Sequence, residues 1–142
     1  MAGTVVADTL QAASTSTLVL KNGVANTPPT IQDSAGTQIG TFCRAWVNFN
    51  GTTNTGGFCT IRASFNVTSV ADNGTGDYTV NFTTAMPDAN YCANVSAGLA
   101  GNTRNLSGLY DYSTQTASAV RVSGLEITGR IDMDLMCVAI FR

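Results

Sequence analysis

The chain has 142 residues, a formal net charge of −2 and only 11% charged residues, against roughly 25% in an average globular protein. That length holds one domain with a modest core and a short appendage, and leaves no room for a second full domain. The faint acidic balance supplies no field to collect nucleic-acid phosphates, and no stretch approaches the roughly 20 apolar residues of a membrane span, so neither nucleic-acid binding nor membrane insertion is expected.

Met1 to Leu10 lack a basic start and a long apolar run, so no secretory signal is read there and a soluble chain made in a cytosol is expected. Residues 1–40 contain strand pieces broken by turn residues: Thr17-Leu-Val-Leu20 before Lys21-Asn-Gly23, then Pro28-Pro-Thr-Ile31, Asp33-Ser-Ala-Gly36 and Thr37-Gln-Ile-Gly40. Such pieces are too short to hold a core. They predict an N-terminal β-stem or attachment arm that leans on other chains, with a partly disordered tail as the alternative. Residues 41–142 are expected to form the head domain.

From Thr41 onward, apolar and polar residues alternate in short segments separated by Gly- and Asn-rich turns, which predicts strands over 42–49, 60–70, 77–84, 90–97, 118–127 and 130–141. In the first, Cys43, Ala45, Val47 and Phe49 share one face and Trp46 takes the other. Asp72-Asn-Gly-Thr-Gly-Asp77 reads as a hairpin turn, and a cation loop is the alternative. In the last segment Ile131, Met133, Leu135, Cys137, Ala139 and Phe141 make one apolar face. The opposite face passes from Asp132 and Asp134 to Met136, Val138 and Ile140, as in a strand that leaves solvent for cover on both sides. No helical periodicity is sustained. The expected fold is all-β, a single antiparallel β-sandwich or barrel-like domain.

The segments Phe42-Cys-Arg-Ala-Trp-Val-Asn-Phe-Asn-Gly51, Ile61-Arg-Ala-Ser-Phe-Asn-Val67 and Asp72 to Tyr91, together with Met136-Cys-Val-Ala-Ile-Phe-Arg142, resemble a module of tail-fibre and related virion-surface proteins of bacteriophages. The resemblance runs from about Phe42 to Val95 and returns at the end of the chain. It implies a virion structural protein assembled in the bacterial cytoplasm, a homotrimer, with other virion proteins and a host-surface glycan or protein as partners. A chain this short is small for a whole tail fibre, which keeps open a capsid decoration or cement protein with residues 1–40 as its anchor.

Histidine is absent, which removes the commonest general base and every His-ligated zinc site. Asp132 and Asp134, about 7 Å apart if both lie on one strand face, are the sole sketch of a glycosidase-like carboxylate pair. Two aspartates at the start of a strand are ordinarily surface residues, and no enzyme is expected, with a polysaccharide-degrading enzyme as the weak alternative. The cysteines, Cys43, Cys59, Cys92 and Cys137, show no metal or redox spacing. Cys43 and Cys137 read as small core residues and Cys59 as the exposed one. No metal or cofactor is implied.

Candidate contacts fall in two places. Phe42, Trp46, Val138 and Ile140 are expected at a subunit interface, although an exposed Trp also stacks on sugar rings. The stretch 101–116 lacks clean alternation and reads as a recognition loop carrying Arg104, Asn105, Tyr110, Asp111 and Tyr112.

Overall fold

The computed structural model describes residues 30–101 and 107–142. Strands β1 (Ile31–Gln32) and β2 (Gln38–Gly40) pair with each other in a sheet of their own. The larger sheet contains β3 (Cys43–Thr55), β4 (Phe58–Phe65), β5 (Val67–Gly74), β6 (Asp77–Phe82), β7 (Cys92–Gly98), β8 (Ser107–Asp111), β9 (Ala119–Glu126), β10 (Gly129–Arg130) and β11 (Leu135–Phe141). Its order is β10-β9-β6-β5-β4-β3-β11-β7, with β8 also paired to β9, and every pairing is antiparallel.

The sheet curls into a half-barrel, the barrel-like form of the expected all-β fold. The curl carries β8 round against β7: a Cβ at Gly108 would stand 2.5 Å from Val95 Cγ1 and 3.1 Å from the Val95 carbonyl carbon. A residue without a side chain is what lets the two strands meet there.

Local chemistry fixes the turns. The 72–77 hairpin forms as the turn residues predict, with Gly74 at φ 122° and Gly76 at φ 62°. Asp72 Oδ1 accepts the Gly74 N–H at 2.9 Å and Asp72 Oδ2 accepts Asn54 Nδ2 at 2.8 Å. Those carboxylate oxygens serve the fold, and among the described residues no three acidic or thiol groups converge to hold a metal ion.

A second turn was not legible in the alternation. The predicted 60–70 strand is two strands, broken at Asn66, which adopts φ 55°. Its side-chain amide donates to the carbonyls of Arg44 and Thr84, and its Oδ1 accepts the Thr84 N–H at 2.8 Å. An Asn that satisfies three backbone groups from a left-handed position makes a corner where the residue pattern alone reads as continuous.

The core lies inside the curl. Ala45, Val47 and Phe49 of β3, Tyr78, Val80 and Phe82 of β6, Val120 and Val122 of β9, and Met136, Val138 and Ile140 of β11 are buried together. Phe49 meets Tyr78 edge-on at 5.2 Å between ring centroids, and Phe82 meets Tyr91 at 5.7 Å.

The inward face of β11 is the reverse of the one expected. Val138 is 2% and Ile140 1% exposed, so both belong to the protomer's own core and neither is available to a subunit interface. Leu135, Cys137, Ala139 and Phe141 face outward instead. The cause is that the strand begins only at Leu135: Ile131 to Asp134 run as irregular chain, so the long apolar run from Ile131 is not one strand face.

One cysteine expectation also reverses. Cys59 is buried, with its thiol pushed up to about 11 chiefly by that burial. Cys92 is the exposed one, while Cys43 and Cys137 are half-buried.

The irregular segment is held by Tyr78. The proton of its hydroxyl is shared between the Gly51 carbonyl at 3.1 Å and Asp132 Oδ1 at 3.2 Å, and its oxygen lies 3.4 Å from the Met133 N–H. Gly51 N–H donates to the Met133 carbonyl at 2.8 Å. A Cβ at Gly51 would stand 2.4 Å from the Tyr78 hydroxyl oxygen and 2.9 Å from that carbonyl. Gly51→Ala is therefore expected to cost about 1–3 kcal/mol by overpacking. Gly98→Ala, whose nearest neighbour would be Leu135 at 3.5 Å, should stay within about 0.5 kcal/mol. Urea denaturation midpoints of the two variants check this, and equal midpoints would contradict the account of Gly51.

Candidate functional site

The outer faces of β3, β11 and β7 form a groove of about 320 Å³, lined on that side by Trp46, Asn48, Asn94, Ser96, Cys137 and Ala139. Strand pairing explains its shape. Ala139 sits between Trp46 on β3 and Asn94 on β7, and Cys137 sits between Asn48 and Ser96. Alternation turns Cys137 and Ala139 outward because Met136, Val138 and Ile140 are needed in the core. Small residues on the middle strand thus make a floor, and Trp46, Asn48 and Asn94 on the flanking strands make the walls. Leu135 and Phe141, which face the same way, stand at the two ends.

Trp46 is 40% exposed, on the face the sequence assigned to it. Phe65 of β4 lies directly opposite it in register and is also exposed, widening the aromatic wall. Asn48 is oriented from behind: Arg62 donates to Asn48 Oδ1 at 3.3 Å and to the Phe49 carbonyl at 2.9 Å, and also reaches the Asp134 carbonyl. With its oxygen engaged, the Asn48 amide has its N–H₂ group left to offer. Asn94 and Ser96 are exposed along the other wall.

The expected recognition loop takes a different form. Arg104 and Asn105 lie outside the described residues. Tyr110 and Asp111 belong to β8, paired with Val122 and Arg121 of β9, and Tyr112 opens a short 3-10 turn. Residues 107–111 are therefore part of the sheet. Pairing with β9 overrides a stretch whose own pattern does not alternate. Asp111 turns back on its own turn, accepting the Ser113 N–H at 3.0 Å and its hydroxyl at 2.6 Å. Those bonds hold its carboxyl below the usual range. Phe42, just before β3, is exposed, as a contact residue must be.

The aspartates considered for catalysis are structural. Asp132 Oδ1 accepts the Gly76 N–H at 2.7 Å beside Tyr78, and Asp134 Oδ2 accepts the Ala100 N–H at 2.9 Å. Neither lies on a strand, so the face they were to share does not exist.

Asp77 is a buried, multiply paired charge. It is 5% exposed and is clasped by Arg121 of β9, through Nε at 2.7 Å and a second nitrogen, and by Arg130 of β10 at 2.6 Å. This bidentate clasp ties β6, β9 and β10 together on the outer side.

No protein-family model, curated protein or solved structure matches this chain.

Arg121, by hydrogen bonding, holds the Asp77 carboxyl below its usual range, against the opposing effect of burial, with Asn73 and the Arg130 charge adding to it. A carboxyl depressed in the folded state contributes stability above its unfolded pKa of about 3.9, and that contribution is lost as pH falls through the folded value. Asp77→Asn is expected to cost about 1–3 kcal/mol at neutral pH and to flatten the fall in stability below about pH 4. Thermal denaturation of both proteins across the acid range checks this. Parallel acid limbs would contradict the assignment.

Proposed function

We propose that the chain is a structural protein of a bacteriophage virion surface, a trimeric fibre or spike element that contributes to host recognition and catalyses no reaction. The observation that carries this reading is the spatial coherence of the segments that resemble the phage module. Residues 42–95 supply β3 to β7, and 136–142 supply β11, which inserts between β3 and β7. Segments far apart in the chain thus form one continuous piece of sheet, as a module would.

Trimerisation is assigned to the N-terminal side. The β1–β2 hairpin is a separate two-stranded sheet, and its Ile39 is 65% exposed, with Ile31 and then Phe42 exposed beside it in sequence. Its turn is well made, because Asp33 Oδ1 accepts the N–H groups of Ala35 and Thr37, both at 2.9 Å. A lone hairpin is nevertheless marginal in water, and among the described residues this one pairs with no strand of the larger sheet. Residues 1–29, including the Thr17 to Leu20 run of the expected arm, lie outside the described residues. The same exposed hairpin supports a second reading, a decoration protein of the capsid anchored by residues 1–40.

Sedimentation equilibrium is expected to give three times the 14.7 kDa protomer mass, and Ile39→Asp is expected to shift the protein toward monomer with its far-UV circular dichroism unchanged. A stable wild-type monomer at micromolar concentration would refute the trimer. Antibody labelling of intact virions separates the two readings: signal at the tail supports the fibre, signal over the head supports decoration, and no signal overturns both.

A further inference from the structure

We propose that the groove along β11 binds a neutral saccharide, with one pyranose ring stacked on Trp46 and its hydroxyls met by Asn48, Asn94 and Ser96. This names the partner class of the host-recognition reading, and its biological meaning rests on that reading.

Four observations carry the assignment. First, Trp46 lines the groove and is exposed there, and the apolar face of a sugar ring is a flat, uncharged surface that stacks on an indole ring. Second, the other polar groups are two planar amides and a hydroxyl. Asn94 offers a donor pair and an acceptor and Asn48 its donor pair, which suits the mixed donor and acceptor character of vicinal hydroxyls. Third, no charged side chain lines the groove. Arg62, beside Asn48, does not line the groove, and its guanidinium donates to Asn48 Oδ1 and two carbonyls, which orients the amide. Fourth, the volume of about 320 Å³ is at the lower end of ligand sites, the scale of one or two sugar rings.

An apolar occupant would have to cover the polar side chains of the walls. A second copy or a hydrophobic peptide seated on Ala139 and Cys137 would bury the Asn48, Asn94 and Ser96 side chains, and each would need a partner or cost free energy. A ligand rich in hydroxyls supplies those partners. Because the floor and walls stand on three paired strands, the site is formed before the ligand arrives and little ordering is needed on binding.

Trp46 is the sole tryptophan of the chain, so its emission reports this groove alone. The full-length chain is titrated with cellobiose, maltose, lactose, mannobiose and N,N′-diacetylchitobiose, with sialyllactose as the anionic comparison. At least one neutral disaccharide is expected to shift the emission saturably, with a dissociation constant on the order of 1 mM for so open a site. Ala139→Leu, which fills the floor on an outward-facing position, should weaken binding by about tenfold or more. Asn94→Ala should weaken it several-fold, and both variants should keep the wild-type circular dichroism and sedimentation. If none of the five neutral sugars gives a saturable change, the assignment is overturned. It is equally overturned if the emission shifts with protein concentration alone, because a second copy then occupies the groove, or if Ala139→Leu binds as the wild type does. These results are separable from the virion reading: a chain that labels virions but ignores sugars sinks the groove alone, and one that binds sugars but is absent from virions sinks the virion reading alone.

Discussion

The hydroxyl of Tyr78 is the point on which the rest of this fold depends. It sits inside the curl, where an unpaired hydroxyl would be costly, and it is satisfied by Gly51 on β3 and by Asp132 and Met133 on the irregular segment before β11. Burial pushes its ionisation well above the ordinary tyrosine range, so it remains a neutral donor at any physiological pH. The space for this junction is made by what is missing. A Cβ at Gly124 would stand 2.6 Å from Met133 Cγ, and one at Gly76 would stand 2.6 Å from the Ile131 nitrogen. In their place, the Gly124 N–H donates to the Gly76 carbonyl and the Ile131 N–H donates to the Gly124 carbonyl, both at 3.0 Å. A glycine in the 72–77 turn and one on β9 thus let the chain cross without any strand pairing of its own.

That crossing determines which way β11 faces. Once Met133 is seated in the core beside Tyr78, the strand starts at Leu135 and enters between β3 and β7 with Met136, Val138 and Ile140 inward. Cys137 and Ala139 are left outside, and small side chains between Trp46 and Asn94 open the groove. The groove on the outside of the half-barrel is therefore a consequence of how a buried tyrosine hydroxyl is satisfied on the inside. Its rigidity, too, comes from the sheet rather than from a loop.

Much of the sheet was legible because its strands obey the two-residue period. Ala45, Val47 and Phe49 inward with Trp46 outward, Tyr78, Val80 and Phe82 together, and the Gly-rich hairpin at 72–77 all follow from alternation and turn chemistry. Three features were not legible. Asn66 breaks a strand through side-chain bonds to Arg44 and Thr84, partners distant in sequence. Strand β8 is made by pairing with β9 and carries no alternation of its own. The face of β11 was misread because Ile131 and Met133 are apolar and in phase with Leu135, yet they belong to a crossing segment. The groove was invisible for the related reason that it needs strand order: nothing in the sequence says that Ala139 lies between Trp46 and Asn94. The one usable signal was Trp46 itself, an aromatic set against the buried face of its own strand.

The most direct test of this account is native-state amide exchange at Gly51 and Met133. Met133 lies in a segment with no strand pairing, and a surface loop there would exchange at nearly the rate of free chain. If the Tyr78 junction holds the crossing as described, the Gly51 and Met133 amides will open only with the whole domain, showing the same protection free energy as Phe49 and Val138 in the core strands. Exchange of Met133 orders of magnitude faster than those core amides would show that the crossing opens on its own, and the dependence of β11 on Tyr78 would be wrong.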